Sequence, residues 1–284
     1  MQVTNDNSTH QEGTIPAQRI VRVFERAHDE GRGVLIPYFM SGYPTAEQSV
    51  KIVRAAAEGG ADIIELGMPF SDPLADGATI QHAGQIALER GMTIRGCMEV
   101  ARQIAEQVDV PLILMGYYNP ILAYGLKRFC ETARESGVSG LIVPDLPPEE
   151  ALPLREAAME QGLTLIFLIP PTTPDERIAR IVELTASGAG GFIYCVSLSG
   201  VTGSRDKLPS QLHSFIERVR SYTRGKNIPL AVGFGLSTPE HVATVTRYVE
   251  GAVVGSALVN LIDRYKEDEQ VEAVRQYIQS LAQR

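Results

Sequence analysis

Short apolar runs alternate with amphipathic stretches along nearly the whole chain. The runs span 33–40, 61–68, 111–117, 140–144, 164–170, 191–196, 230–234 and 251–254. They are rich in Val, Ile, Leu and Phe without polar alternation, so each reads as a strand covered on both faces, as in a parallel sheet. Between them, 46–57, 121–136, 149–161, 174–187, 208–224 and 239–248 carry apolar positions at helical spacing. Gly59-Gly60, Gly137, Gly162 and Gly188 close several of these segments, where a left-handed C-cap favours glycine. Thr45, Thr173-Pro174 and Ser237-Thr238-Pro239 are start signals, and Ser237 is expected to cap its helix. Eight strands alternating with helices predict an α/β fold, a closed (β/α)8 TIM barrel rather than an open doubly wound sheet. One domain over 17–284 is expected, with an extra helix over 17–29 before the first strand and a long helix over 257–283 at the end. Residues 1–16, rich in Asn, Thr, Gln and Ser, read as a disordered polar tail.

Composition narrows the partners. The net charge is −8 and no basic block occurs, which argues against nucleic acid and anionic membranes. No apolar run approaches the roughly 20 residues of a membrane span, and the first residues lack the apolar centre of a signal peptide. Cys97, Cys130 and Cys195 are odd in number and widely spaced, forming neither a disulfide framework nor a metal signature. Buried reduced thiols in a cytoplasmic protein are the simplest reading. The five histidines carry no expected catalytic or metal role, and His82 is expected to face solvent or cap a loop.

Candidate chemistry gathers at the strand ends, where barrels place their sites. Glu65 ends an apolar run (Ala61, Ile63, Ile64), where an unpaired carboxylate would cost several kcal/mol, roughly. Asp76 follows eleven residues later, on a loop with prolines at 69 and 73. Two carboxylates in unlike surroundings can divide acid and base work. Three later loops are glycine-bearing: 197–204, then 233–237, then Gly255-Ser256. Backbone N–H groups at such loops and at helix starts can bind a phosphate without Lys or Arg. The candidate cradle is Gly203, Gly233, Gly235, Gly255 and Ser256. The segment 198–207 reads as a lid able to exclude water.

These residues resemble the tryptophan synthase alpha chain family. The matching stretches are 65–77 (Glu-Leu-Gly-Met-Pro-Phe-Ser-Asp-Pro-Leu-Ala-Asp-Gly), 115–120, 143–147, Tyr194 with 199–203, 233–237 and 255–256. The resemblance implies a (β/α)8 barrel that cleaves indole-3-glycerol phosphate to indole and glyceraldehyde 3-phosphate, with no cofactor and no metal. It implies a pyridoxal-phosphate β subunit as partner, in an α2β2 assembly, with indole passing through a tunnel. It places catalysis at Glu65, Asp76 and Tyr194. It assigns substrate contacts to Tyr38, Thr202 and Phe234 and the phosphate to the cradle named above, and Tyr117, which closes an apolar run, is expected at the substrate as well. Asp72, Asn119 and Pro120 fall on the partner face, and Asp145 falls where a loop aspartate supports the closed lid. In that cleavage Asp76 is expected to stay ionised and accept the indole N–H, while Glu65, favoured in its protonated form by desolvation at its strand position, is expected to shuttle protons. One departure is Leu198, where some members carry a basic residue between two serines. A free-standing lyase that releases indole, and an idle subunit that only activates its partner, are the competing readings.

Overall fold

In the computed structural model, residues 15–196, 211–233 and 235–282 are described. The expected polar tail up to 14, Leu198, Thr202, Gly203, the lid segment and Phe234 lie outside them.

Among the described residues, nine strands form one parallel sheet. They are β1 (Val34–Met40), β2 (Ile64–Gly67), β3 (Leu112–Met115), β4 (Val138–Ile142), β5 (Thr164–Ile166), β6 (Leu168–Ile169), β7 (Ile193–Val196), β8 (Leu230–Gly233) and β9 (Gly251–Val254). Their order is β5-β4-β3-β2-β1-β9-β8-β7-β6. Its two ends, β5 and β6, are one extended segment interrupted only at Phe167, whose carbonyl accepts from Tyr194 N at 3.0 Å. The sheet therefore closes, and the expected eight-stranded barrel is present with its fifth strand divided in two.

The closed sheet explains why the apolar runs do not alternate. Val34, Ile36, Ile63, Ile113, Ile142, Ile166 and Val253 point inward and pack as one cluster. Their neighbours Leu35, Phe39, Ile64, Leu66, Leu112, Leu114 and Val254 point outward and pack in a second cluster with the helices. Both faces are apolar, as burial on both sides requires.

Twelve helices surround the described barrel. They include α1 (Pro16–Asp29), α2 (Ala46–Glu58), α3 (Ala78–Glu89), α4 (Ile94–Ala105), α5 (Tyr118–Tyr124), α6 (Leu126–Glu135), α7 (Leu152–Glu160) and α8 (Asp175–Ala186). The rest are α9 (Leu212–Thr223), α10 (Pro239–Val245), α11 (Ser256–Arg264) and α12 (Glu267–Ala282). The expected helix over 121–136 breaks at Gly125, whose φ of 96° is costly for other residues. The long terminal helix breaks at Tyr265, which is extended. α3 and α4 fill a stretch that none of the segments named above includes.

The caps follow the sequence in part. Thr45 accepts from Gln48 N, and Gly60, Gly137 and Gly162 have positive φ. Before β7, however, the left-handed glycines are Gly190 and Gly191, not Gly188. Thr238, not Ser237, caps α10 by accepting from His241 N. Pro174 occupies the start of α8 with no side-chain cap, and the Thr173 carbonyl accepts from Arg218 instead. All three cysteines are free and buried, and burial pushes each thiol up to about 12. His82 is exposed, with its ring edge-on to Tyr43.

The extra helix α1 is more than a lead-in. Its Ile20, Val23, Phe24 and Ala27 belong to the inward-facing cluster, so α1 seals the barrel at its amino-terminal end. Phe24 meets Phe192 with centroids 5.4 Å apart. Phe24→Ala is expected to lower unfolding free energy by about 3–5 kcal/mol, the usual cost of deleting a buried ring. A urea midpoint indistinguishable from wild type would show that α1 does not close the core.

Candidate active site

Register places Glu65. It lies two residues after Ile63 and pairs with Tyr38 on β1 and Ile113 on β3, so its side chain points into the barrel. It is 1% exposed, and neither carboxylate oxygen has a hydrogen-bond partner among the described residues. Burial, then the nearby Asp76 charge, pushes its carboxyl up to about 8. Glu65 is therefore an acid at neutral pH.

Asp76 ends the loop between β2 and α3. Asp76 N bonds Pro73 O at 3.1 Å, and the Gln81 side chain donates to the Asp76 carbonyl at 2.9 Å. Burial raises its carboxyl to about 6, against the opposing pull of the Tyr117 hydroxyl. Asp76 is therefore mostly ionised at pH 7. The two acids differ in protonation because one is inside the strand layer and the other on its rim.

Both line one cavity of about 750 Å³ at the carboxyl-terminal end of the barrel. Tyr38, Tyr194, Gly233, Gly235, Gly255 and Ser256 line it too. The two tyrosines share a local device. Tyr38 pairs with Glu65 and its ring crosses Gly67, two residues further along β2. Tyr194 pairs with Ala231 and its ring crosses Gly233, two residues further along β8. A Cβ on either glycine would collide with the tyrosine hydroxyl. Gly233 thus has a packing reason to be glycine, independent of any phosphate. Burial and the Glu65 charge push the Tyr194 hydroxyl well above its ordinary range, so it stays a neutral donor.

At the cradle, Gly235 has φ of 70° and open space where a Cβ would stand. Gly255 precedes α11 without a side-chain cap, and Leu258 N is the first to bond back to its carbonyl. The N–H groups of 256 and 257 are thus the free donors expected at a helix start. Such an end attracts an anion through these donors and the helix dipole.

Other expected residues lie next door. A second cavity of about 420 Å³ is lined by Phe70, Asp72, Leu74, Ala75, Tyr117, Asn119, Pro144 and Asp145. Tyr117 lines this second cavity, which shares Leu74, Ala75, Pro144 and Asp145 with the one that holds the two acids. Asp72 and Asn119 are exposed here, whereas Pro120 is half-buried and lines neither cavity. Asp145 borders both cavities and accepts from Tyr118 N at 2.9 Å. Two participants escaped the sequence reading. Phe70 lies against Tyr117 with centroids 5.2 Å apart. Arg177 reaches the rim of the larger cavity while paired to Glu149 at 2.9 Å. Phe70 sits inside the most informative stretch of sequence, whereas nothing in the helical pattern of α8 singles out Arg177.

Two acids of unlike protonation at the mouth of a closed parallel barrel define an acid–base enzyme. The family profile described as "Tryptophan synthase alpha chain" matches residues 24–283. A tryptophan synthase alpha chain from Roseiflexus castenholzii is 48% identical over 264 residues, covering 93% of this chain and 98% of that one. The Mycobacterium tuberculosis tryptophan synthase structure superposes with a TM-score of 0.84 at 35% identity, over 93% of this chain and 96% of that one. The tryptophan synthase complex from Pyrococcus furiosus gives 0.79 at 37%, over 88% and 97%. The chain belongs to the tryptophan synthase alpha chain family.

Proposed function

We propose that this chain cleaves indole-3-glycerol phosphate by retro-aldol chemistry, as the alpha subunit of tryptophan synthase in L-tryptophan biosynthesis. The observation that carries the reading is a buried, partnerless Glu65 facing the same cavity as the ionised Asp76 and the glycine cradle. The phosphate sits on Gly233, Gly235, Gly255 and Ser256, with Gly203 from the lid segment. That anchor holds the scissile bond between the acids and turns binding into orientation. Asp76 accepts the indole N–H and offsets the positive charge that grows on the ring. Glu65 gives its proton to indole C3, which breaks the bond to the glycerol carbon once the adjacent hydroxyl loses its own proton. That hydroxyl proton returns to Glu65, so the cycle closes without an added acid or base. Tyr194 donates to the hydroxyl or to Glu65 while the proton is in transit. Tyr38 and Phe234 flank the indole, and Thr202 closes with the lid.

The partner is the β subunit in an α2β2 assembly, meeting the face that carries Asp72, Asn119 and Pro120. Indole leaves toward that face. The three unpaired cysteines fit a cytoplasmic enzyme. Among the described residues, no helix is long and apolar enough to cross a membrane.

The decisive assay incubates the chain with indole-3-glycerol phosphate and detects indole, with and without a β subunit. Cleavage by the lone chain that the β subunit accelerates is expected. Full activity alone and no complex on gel filtration would favour a free-standing lyase, and no cleavage in either case an idle subunit. The pH profile follows from the two acids. Activity needs Glu65 protonated, which is lost above about 8, and Asp76 ionised, which is lost below about 6. A bell-shaped kcat/KM with its maximum near 7 is expected. A rate still climbing at pH 9 would contradict Glu65 as the acid.

A further inference from the structure

The cradle loop after β8 is held from outside the barrel. Gly235 lines the larger cavity with φ of 70° and no side chain to fix it. The next residue, Leu236, is 1% exposed and packs in the outward-facing cluster, so the chain passes here from the cavity into the helical layer. Thr238 then caps α10 by accepting from His241 N at 3.2 Å, and Val242 N bonds Thr238 O at 3.1 Å. The Ser237 carbonyl falls one residue short of that ladder. The Tyr277 hydroxyl, 40 positions later on α12, donates to it at 2.8 Å.

Tyr277 stands on a fixed base. Val274 and Ile278, beside it on α12, are fully buried. The Gln48 amide of α2 donates to Gln270 Oε1 at 3.1 Å, and Arg275 pairs with Glu58 at 2.5 Å. A Cβ on Gly59, at the end of α2, would meet the Arg275 carbonyl at 2.8 Å, so the two helices approach backbone to backbone there. Burial pushes the Tyr277 phenol up to about 12, so it remains a neutral donor at neutral pH.

We infer that Tyr277 is a positioning residue for the phosphate: by holding the Ser237 carbonyl from α12, it sets the turn at Gly235 and aims the N–H groups of the cradle loop into the cavity. The inference rests on the phosphate site proposed above and deepens it. Tyr277 lines neither cavity and acts through the main chain of 235–237. A carbonyl fixed in direction fixes its peptide plane. Through Leu236 that limits rotation at a glycine whose backbone is otherwise free to turn. Ordering the loop in advance removes part of the entropy cost of binding. Gly255 and Ser256, the other half of the cradle, are carried by α11, so the two halves have separate supports.

Tyr277→Phe keeps the ring and deletes only the oxygen. Its dissociation constant for inorganic phosphate, read by calorimetry at constant ionic strength, is expected to rise about three- to tenfold, the scale of one net hydrogen bond. KM for indole-3-glycerol phosphate should rise by a similar factor while kcat stays within about twofold, the pattern of lost uniform binding. Amide hydrogen exchange at 235–237 should quicken, with that of β8 unchanged. Tyr265→Phe, which alters an exposed phenol just before α12, is the control and should match wild type in all three. Unchanged phosphate affinity in Tyr277→Phe overturns the inference, and with a lowered urea midpoint it makes Tyr277 a stabilising group only. A fall in kcat at constant KM overturns it too, as does a wild-type chain that binds no phosphate. A wild-type chain that binds phosphate but fails to cleave the substrate sinks the functional reading, while the phosphate titrations still decide the role of Tyr277.

Discussion

Glu65→Gln is expected to lower the cleavage of indole-3-glycerol phosphate by about 10²- to 10³-fold, the usual weight of a positioned proton donor. The amide matches the carboxyl in shape but cannot release a proton to C3. Folding should not suffer. Glu65 enters the native state as a neutral acid whose oxygens have no partner, so a neutral amide replaces it without breaking a bond. Stability offers a separate check. The folded-state carboxyl is held up at about 8, so folding is disfavoured once pH rises through the range in which the unfolded chain ionises this group. The wild-type chain loses stability from that source between about pH 5 and 8, and Glu65→Gln should not. Measuring turnover and urea midpoints at pH 5 and pH 8 tests both halves. Near-normal turnover in Glu65→Gln would remove the residue from the mechanism.

Asp76→Asn is expected to reduce cleavage comparably, by about two to three orders of magnitude, through a different route. The amide still offers an oxygen to the indole N–H, but without the negative charge that steadies the ring as it becomes positive. Substrate affinity should change little, because the phosphate cradle is remote from position 76 in the sequence and built from other loops. Single-turnover rates and equilibrium binding of the substrate separate the two quantities. If affinity collapses while the bound-state rate survives, Asp76 is a binding group only. The double variant should be little slower than either single one, since both acids serve one step.

Much of this was legible because the barrel prints its constraint on every strand. Runs apolar on both faces leave few alternatives, and Glu65 stands out in one of them as a carboxylate with no local partner. The break of the fifth strand at Phe167 left no mark, since apolar residues continue through it. The divisions at Gly125 and Tyr265 are backbone events inside segments whose helical period is unbroken. α3 follows Gly77 with no side-chain cap, so it begins without a signal, although Thr93 does cap α4 by accepting from Gly96 N. Tyr38 and Tyr194 could be placed on strand ends, but their seats over Gly67 and Gly233 depend on register, which only pairing reveals. Tyr117 was expected at the substrate because it closes an apolar run. Its ring lies against Phe70, a partner 47 positions earlier that no periodicity links to it.

The stopper formed by α1 also governs traffic. With the amino-terminal end filled by α1, the way into the barrel is the doorway at its carboxyl-terminal end, where both cavities lie. Whatever docks over that doorway decides which product gets out first and whether the next molecule can enter behind it.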